Sequence, residues 1–342
     1  MRHVRDNAFS LNIVGRNEDP NNPAPLIAMM EIRGQLVAFK TNSIFHIYTA
    51  DEIDPERKHP QAKGTYKQVY VVGTASPFVS RTIIQASEML NTVHLKSNLT
   101  KTPLLEIVYD SMRELVNCHM IQSELKREIE DFLPICDASI RQSQTSLFIK
   151  NLPQVKNLRN RFNDFFLSAK RFLQSIMRIL EICFDKPENG VRFQKDIEWA
   201  EETFGRDDPI TQQLRDDNRW MFLIVSVRNY IEHPDVGLSI ELRNFEHTVE
   251  NKFMVPAWRY NLRNYEQEFF SDVCQDMDHL CNNMLEFAEE LFCLTLQKVW
   301  DVKWPFFIYR IPEERIDPQR PMRYAVSVDL GELTGKLPRR QK

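Results

Sequence analysis

The chain has 342 residues, and its content of 42% hydrophobic and 27% charged residues is typical of a folded globular protein. Its nine glycines are few for this length, which favours helices and disfavours glycine-rich phosphate-binding loops. The formal net charge of −4 provides no general attraction to nucleic acid, so RNA or DNA binding would require a local basic surface.

Signals for secretion, membrane insertion and zinc binding are absent from the sequence. The segment MRHVRDNAFS has no apolar stretch of the kind that a signal peptide contains. No run approaches the ~18–20 apolar residues that cross a membrane. The six cysteines are scattered and form no C-x-x-C pair, which indicates reduced thiols rather than a structural zinc site. We therefore expect a cytoplasmic protein without a membrane segment, a cofactor or a metal site.

Residues 1–150 are predicted to form strands followed by helices. Two apolar runs flank the turn Arg33-Gly34-Gln35, a pattern that favours a β-hairpin. The periodicity becomes helical from Pro77, and a second helix is predicted from about Pro103 to Leu133. Prolines and a Ser/Gln/Thr-rich stretch over residues 134–153 then indicate a helix break and a domain boundary.

Residues 151–302 are predicted to form a second, helical domain. Its predicted helices cover about 154–184, 193–204, 209–233 and 264–300. Asp208 before Pro209 has the pattern of a helix N-cap followed by proline at the first helical position. Residues 236–262 are predicted as either a strand pair or an extended insertion.

Residues 303–342 contain two strand candidates and a basic tail. If these strands pair with the N-terminal ones, the chain ends meet in a small sheet. We therefore predict a mostly α, α+β fold: a helical bundle with additional N-terminal helices and a small β module from the N- and C-terminal strands.

The stretch with the clearest chemical pattern is WMFLIVSVRNYIEHPD, Trp220 to Asp235. Its apolar part predicts a core helix, and it ends in a polar group before Pro234. The polar residues are Arg228, Asn229, Glu232 and His233.

This helix, between two long apolar-faced helices, resembles the HEPN superfamily, whose helical bundles often dimerise and usually carry the motif R-x(4–6)-H. Arg228 and His233 have the four-residue spacing, and Asn229 occupies the favoured position after the arginine. The resemblance covers roughly residues 154–300. It implies a metal-independent endoribonuclease, or an RNA-binding relative, that acts as a homodimer with a composite site.

The resemblance also implies a role for each residue. Arg228 would hold a phosphate and stabilise its negative charge, since a guanidinium binds phosphate oxygens bidentately. His233 would act as the acid or base, since imidazole exchanges protons near neutral pH. Asn229 would orient either Arg228 or His233. Asn229 and His233 share one helix stripe, whereas Arg228 and His233 are rotated by about 140°.

The same residues have a structural interpretation. Arg228 and Glu232 form an i,i+4 pair on a helix, whose C-terminus also stabilises a cation. Spacing alone is weak evidence, because Arg113 and His119 also fit R-x5-H in the middle of an apolar helix pattern. The alternative function is therefore that of a non-catalytic helical interaction protein.

A basic segment is a second signal for RNA. From Arg141 to Arg178 the chain has eight positive residues and a single negative one, Asp164. This segment suits a phosphate backbone, but it equally suits pairing with the acidic last helix, and both alternatives stay open. On that last helix Asp272, Asp276 and His279 have metal-ligand spacing, but acidic helix surfaces often show it by chance, so we predict no metal site.

Overall fold

The computed structural model describes residues 13–16, 18–143, 152–188, 193–234, 238–250, 252–262 and 269–329. The chain divides into two compact units. The first contains residues 1–109 and 295–342, and the second contains residues 110–294. The boundary predicted near residue 150 lies outside the described residues.

Helices account for 53% of the described residues and strands for 19%. The helices are α1 Ala50–Ile53, α2 Pro77–Val79, α3 Gln85–Thr92, α4 Lys101–Ser143, α5 Leu158–Phe184, α6 Phe193–Phe204, α7 Pro209–Asp216, α8 Asn218–Glu232 and α9 Val273–Val299. A π-helical turn, Ser80–Ile84, joins α2 to α3, and a 3-10 turn covers Glu313–Arg315.

The strands are β1 Leu26–Ile32, β2 Gln35–Lys40, β3 Ile44–Tyr48, β4 Thr65–Tyr70, β5 Leu238–Arg243, β6 Glu246–His247, β7 Phe253–Met254, β8 Ala257–Leu262, β9 Phe269–Asp272, β10 Phe306–Arg310 and β11 Tyr324–Val328. Within the described residues they form four antiparallel sheets, in the orders β1-β2-β3-β4, β5-β8-β9, β6-β7 and β10-β11.

These sheets show that the predicted fold class is wrong. The chain is an α+β mixture, and a HEPN-like helical bundle with one terminal β module is not what it forms. The N-terminal strands pair with one another and β10 pairs with β11, so among the described strands those from the two ends of the sequence belong to separate sheets. A further sheet, β5-β8-β9, lies within the region predicted to be a bundle. The backbone N–H and C=O groups of its residues form hydrogen bonds between strands instead of along a helix.

In the first unit, the predicted hairpin at Arg33 and Gly34 is confirmed. Ile32 pairs with Gln35 across a two-residue turn. Both turn residues have positive φ, 52° and 73°, which is the conformation that matches the twist of antiparallel strands. Beyond it, His46 of β3 contacts Tyr109 of α4 at 3.1 Å between Nε2 and the phenol oxygen.

A buried ion pair anchors the first described segment to this sheet. Lys40 is 2% exposed, donates a hydrogen bond to the Ile13 carbonyl at 2.6 Å, and forms an ion pair with Glu18. Burial by itself would raise the pKa of Glu18, but the Lys40 ammonium and a backbone hydrogen bond outweigh it and lower that pKa. Gly73 lies so close to β2 that an added Cβ would be 2.2 Å from the Lys40 carbonyl.

The C-terminal hairpin of the first unit is attached through α3. The Gln85 side-chain oxygen, in a residue 1% exposed, accepts hydrogen bonds from the Arg323 and Tyr324 amides at 2.9 Å and 2.8 Å. The N- and C-terminal regions therefore belong to one unit, joined by these helix-to-strand hydrogen bonds and by an isolated antiparallel bridge between Leu95 and Trp300.

In the second unit, α5 buries the broad apolar face that its sequence predicts. Phe162 and Phe166 on this face pack against the Trp258 indole of β8, which is fully buried. The opposite end of this indole donates a hydrogen bond to Asp276 of α9 at 2.6 Å. The α5 helix also packs against α8, which places the two candidate site elements side by side.

Three predicted helix boundaries differ from the structure. The α4 helix continues through Pro134 to Ser143, past the predicted break. The helix predicted from Pro209 is divided at Asp217, whose carboxylate accepts a hydrogen bond from Trp220 at 2.7 Å. The last helix begins at Val273, since the residues just before it pair with β8. No helix within the described ranges is long and apolar enough to cross a bilayer.

Candidate phosphate-binding site

The Arg-Asn-x-x-x-His motif lies at the C-terminal end of α8, a helix that is only partly buried. Met221, Ile224 and Val227 form its buried stripe, while Phe222 is 47% exposed. The last helical hydrogen bond runs from the His233 amide to the Asn229 carbonyl at 2.8 Å. His233 then leaves the helical conformation, with φ −135° and ψ 80°, as expected for a residue before proline.

Arg228 is half-buried and paired within its own helix. Its Nη1 forms an ion pair with Glu232, one turn further along, and the two side chains are 24% and 39% exposed. Its Nε is buried and has no hydrogen-bond partner among the described residues. The i,i+4 pair of the structural interpretation is therefore formed, but the guanidinium keeps an unused donor.

Asn229 connects α8 to α5. Its side-chain oxygen accepts a hydrogen bond from Lys170 Nζ at 3.2 Å. Burial lowers the pKa of Lys170, the positive charge of Arg228 lowers it further, and Glu232 acts in the opposite direction. Lys170 therefore shares an electrostatic environment with both members of the ion pair. We call Lys170, Arg228, Asn229, Glu232 and His233 the α5–α8 cluster.

Lys170 is the member that the motif alone did not identify. The sequence signal was its place in the basic segment, which does not distinguish it from its neighbours. Arg171 and Arg178, also on α5, are exposed, and Arg161 pairs with Glu128 of α4. The packing of α5 on α8 singles out Lys170, because it puts that ammonium beside Asn229.

His233 occupies the outer edge of the cluster. It is exposed, and within the described part of the chain its ring forms no hydrogen bond with Arg228. It follows Asn229 by one helical turn, so the two residues share a stripe. The structure thus joins Lys170 to Asn229 and Arg228 to Glu232 by direct contacts, and it leaves His233 exposed at the end of α8.

The second R-x5-H match has a different environment. His119 is partly buried on α4, and its ring lies 3.4 Å from the Ser123 hydroxyl. Burial lowers the pKa of His119, against a smaller raising effect of Asp278. This histidine contacts Ser123 one turn further along its own helix, and it provides an internal control for His233.

The residues with metal-ligand spacing have structural contacts. Asp272 accepts hydrogen bonds from the Cys274 and Gln275 amides at 2.7 Å and 3.0 Å and so caps α9. Asp276 accepts the Trp258 indole hydrogen bond. Within the described ranges, no three His, Cys, Asp or Glu side chains are grouped closely enough to hold a metal ion.

The six cysteines are free, and burial makes several of them poor nucleophiles. Burial raises the pKa of Cys183 to about 12 and that of Cys274 to about 11, so both thiols stay protonated at neutral pH.

No protein-family model, curated protein or solved structure matches this chain. The resemblance to the HEPN superfamily therefore stays a prediction based on Arg228, Asn229 and His233. Function has to be argued from the chemistry of the α5–α8 cluster itself.

Proposed function

We propose that this protein binds RNA by its phosphate groups at the α5–α8 cluster. The observation that carries the proposal is the hydrogen bond from Lys170 of α5 to Asn229 of α8, the residue that follows Arg228, because it brings cations of two helices to one place. In the described contacts Glu232 is the one anion that opposes these two cations, so Lys170, Arg228 and Glu232 together carry 2 − 1 = +1. A phosphate would offset this excess in a partly buried setting, where charge attraction is stronger than in water.

The donors of the cluster match the geometry of a phosphate. Arg228 offers the flat, forked guanidinium that binds two phosphate oxygens, and its Nη1 is paired with the carboxylate of Glu232. Lys170 provides a compact charge from the second helix, and the Asn229 amide provides a neutral donor. An RNA backbone presents such phosphates repeatedly, which compensates for the overall acidity of the chain.

Metal-independent cleavage is a second candidate, favoured by the exposed His233 ring at the edge of the cluster. In such a reaction the 2′-oxygen loses its proton and attacks the phosphorus, and the bond to the 5′-oxygen breaks as that oxygen gains a proton. His233 would perform one of these transfers, and Lys170, whose pKa is lowered, is the second candidate proton-exchanging group of the cluster. Arg228 would stabilise the extra negative charge on the phosphate.

Binding is tested with a labelled single-stranded oligoribonucleotide in EDTA, by fluorescence anisotropy. Arg228→Ala and Lys170→Ala should each weaken binding about tenfold, the usual loss for a charged phosphate contact. Arg215→Ala is the matched control, because Arg215 is 30% exposed and paired with Glu201, outside the cluster. If Arg228→Ala and Arg215→Ala bind RNA equally well, the proposal is wrong.

Cleavage is tested by incubating longer RNAs with the same proteins in EDTA and separating the products on gels. His233→Ala should abolish cleavage while leaving affinity within about twofold, and His119→Ala should retain it. Intact RNA with both the wild type and His233→Ala removes the cleavage candidate and leaves the binding proposal in place.

We also propose that the protein forms the homodimer that the resemblance implies. Light scattering of the purified protein tests it, with twice the chain mass expected. If no RNA binds at all, the alternative of a non-catalytic interaction protein takes precedence.

A further inference from the structure

Glu232 occupies an unusual position for a carboxylate. It is the last residue of α8, where the partial negative charge of the helix end repels it. What holds it there is Arg228, with which it forms an ion pair, and its side chain remains 39% exposed. Among the described residues the carboxylate therefore has Arg228 as its ion-pair partner, and it is partly exposed to solvent.

Glu232 also neutralises charge in the same place as a bound phosphate would. A carboxylate and a phosphate bind a guanidinium through the same donors. Glu232 acts on the second cation too, because it stabilises the charged form of Lys170 against the effect of Arg228. The two cations of the cluster thus share one internal anion.

We propose that Glu232 is a built-in competitor for phosphate at the α5–α8 cluster, so that RNA binds Arg228 only as the Glu232 carboxylate leaves it. This inference rests on the proposed function. Glu232 is 39% exposed while Arg228 is 24% exposed, so the carboxylate can swing into solvent while the guanidinium keeps its place.

Such a competitor affects which ligand the cluster selects. Glu232 is tethered one turn from Arg228 and is always present beside it, so a single free phosphate competes poorly. A polynucleotide that contacts several cations together overcomes the competition. The inferred ligand is therefore a polyanionic backbone rather than a small phosphate.

The test compares the wild type with Glu232→Gln, Arg228→Ala and the double variant, using the labelled single-stranded oligoribonucleotide in EDTA. Glu201→Gln is the matched control. The Arg215–Glu201 side chains are 30% and 37% exposed, and the Arg228–Glu232 side chains are 24% and 39% exposed. The control therefore has the same change of charge in a pair of similar exposure.

Glu232→Gln should tighten RNA binding about two- to fivefold more than the control, the size expected for a partly exposed ion pair. Salt dependence gives a second readout. Every phosphate that Arg228 neutralises releases a counterion from the RNA, whether or not Glu232 was paired with Arg228 beforehand. The slope of log affinity against log salt should therefore be unchanged in Glu232→Gln and become shallower by about 0.7 in Arg228→Ala and in the double variant.

The inference is supported if Glu232→Gln binds RNA more tightly than the control with an unchanged salt slope, and the gain disappears when Arg228→Ala is added. It is overturned, with the proposed function intact, if Arg228→Ala weakens binding but Glu232→Gln binds like the control. If Arg228→Ala binds as well as the wild type, the proposed function fails. In that case the inference, which rests on the proposed function, is overturned with it. If no variant binds RNA, both are overturned.

Discussion

A buried ion pair in the first unit and a half-exposed one in the second carry the same charges in different surroundings. Lys40 and Glu18 are 2% and 5% exposed, and Lys40 also donates to the Ile13 carbonyl. Arg228 and Glu232 are 24% and 39% exposed, lie beside another cation, and leave the Arg228 Nε donor without a partner among the described residues. The first arrangement attaches a segment to a sheet, whereas the second holds its charges where solvent partly reaches them.

The largest expected effect comes from breaking the buried pair. Lys40→Met should lower the free energy of unfolding by about 3–5 kcal/mol, because it leaves the Glu18 carboxylate buried without its cation. Lys58→Met is the control, since Lys58 and its partner Glu56 are both 69% exposed. Urea denaturation followed by circular dichroism measures both. Equal midpoints for the two variants would show that the Lys40 pair does not stabilise the fold.

The Lys40–Glu18 pair should also make the free energy of unfolding depend on pH. The pKa of Glu18 is lowered from its ordinary value of 4.5, so the folded protein binds its proton less readily than the unfolded chain. The stabilisation is therefore complete above about pH 4.5 and is lost as the pH falls through the lowered pKa. Thermal midpoints between neutral and acidic pH should fall less steeply in Lys40→Met than in the wild type.

Gly73 tests the packing around Lys40 through the backbone, because it lies against the Lys40 carbonyl. An added Cβ would lie 2.2 Å from the Lys40 carbonyl and 2.4 Å from the Ser43 amide, and neither backbone atom can move away easily. Gly73→Ala should therefore destabilise the protein by ~1–3 kcal/mol. Gly34→Ala has free space but a φ of +73°, so it should lose only about 1 kcal/mol. If thermal denaturation shows Gly34→Ala to be less stable than Gly73→Ala, the close approach of Gly73 to the Lys40 carbonyl is contradicted.

The open pair should matter little for folding. Arg228→Ala should change the free energy of unfolding by no more than about 1 kcal/mol, since half-exposed i,i+4 pairs contribute little. Urea denaturation of Arg228→Ala and Lys40→Met under the same conditions tests this. A loss for Arg228→Ala as large as that for Lys40→Met would mean that the α5–α8 cluster is structural.

The predictions that succeeded depend on local signals. The Arg33-Gly34 turn, the Asp208 cap and the apolar face of α5 are determined by residues within one or two turns of each other. Turn conformation, N-capping and helix periodicity act over such distances, so they can be predicted from the sequence.

The predictions that failed depend on distant partners. The residues of β9, Phe269–Asp272, were expected to continue a helix, but they pair with β8. Pro134 was expected to end a helix, yet α4 continues through it. Lys170 was predicted only as one member of the basic segment, because the packing of α5 on α8 is what distinguishes it from the other basic residues. Sequence spacing identified Arg228 and His233 but gave no information about what lies across from them.

The smallest expected effect concerns the proton of Lys170. Burial and Arg228 lower its pKa below the ordinary 10.5, and Glu232 partly opposes them. Arg228→Ala should therefore raise the pKa of Lys170 without restoring its ordinary value, because burial remains, and Glu232→Gln should lower it further. Titration of isotope-labelled lysine by NMR measures both, with Glu201→Gln as the control. Identical titration in all four proteins would mean that the three charges do not act on one another, and the Lys170–Arg228 juxtaposition would then lose its electrostatic basis.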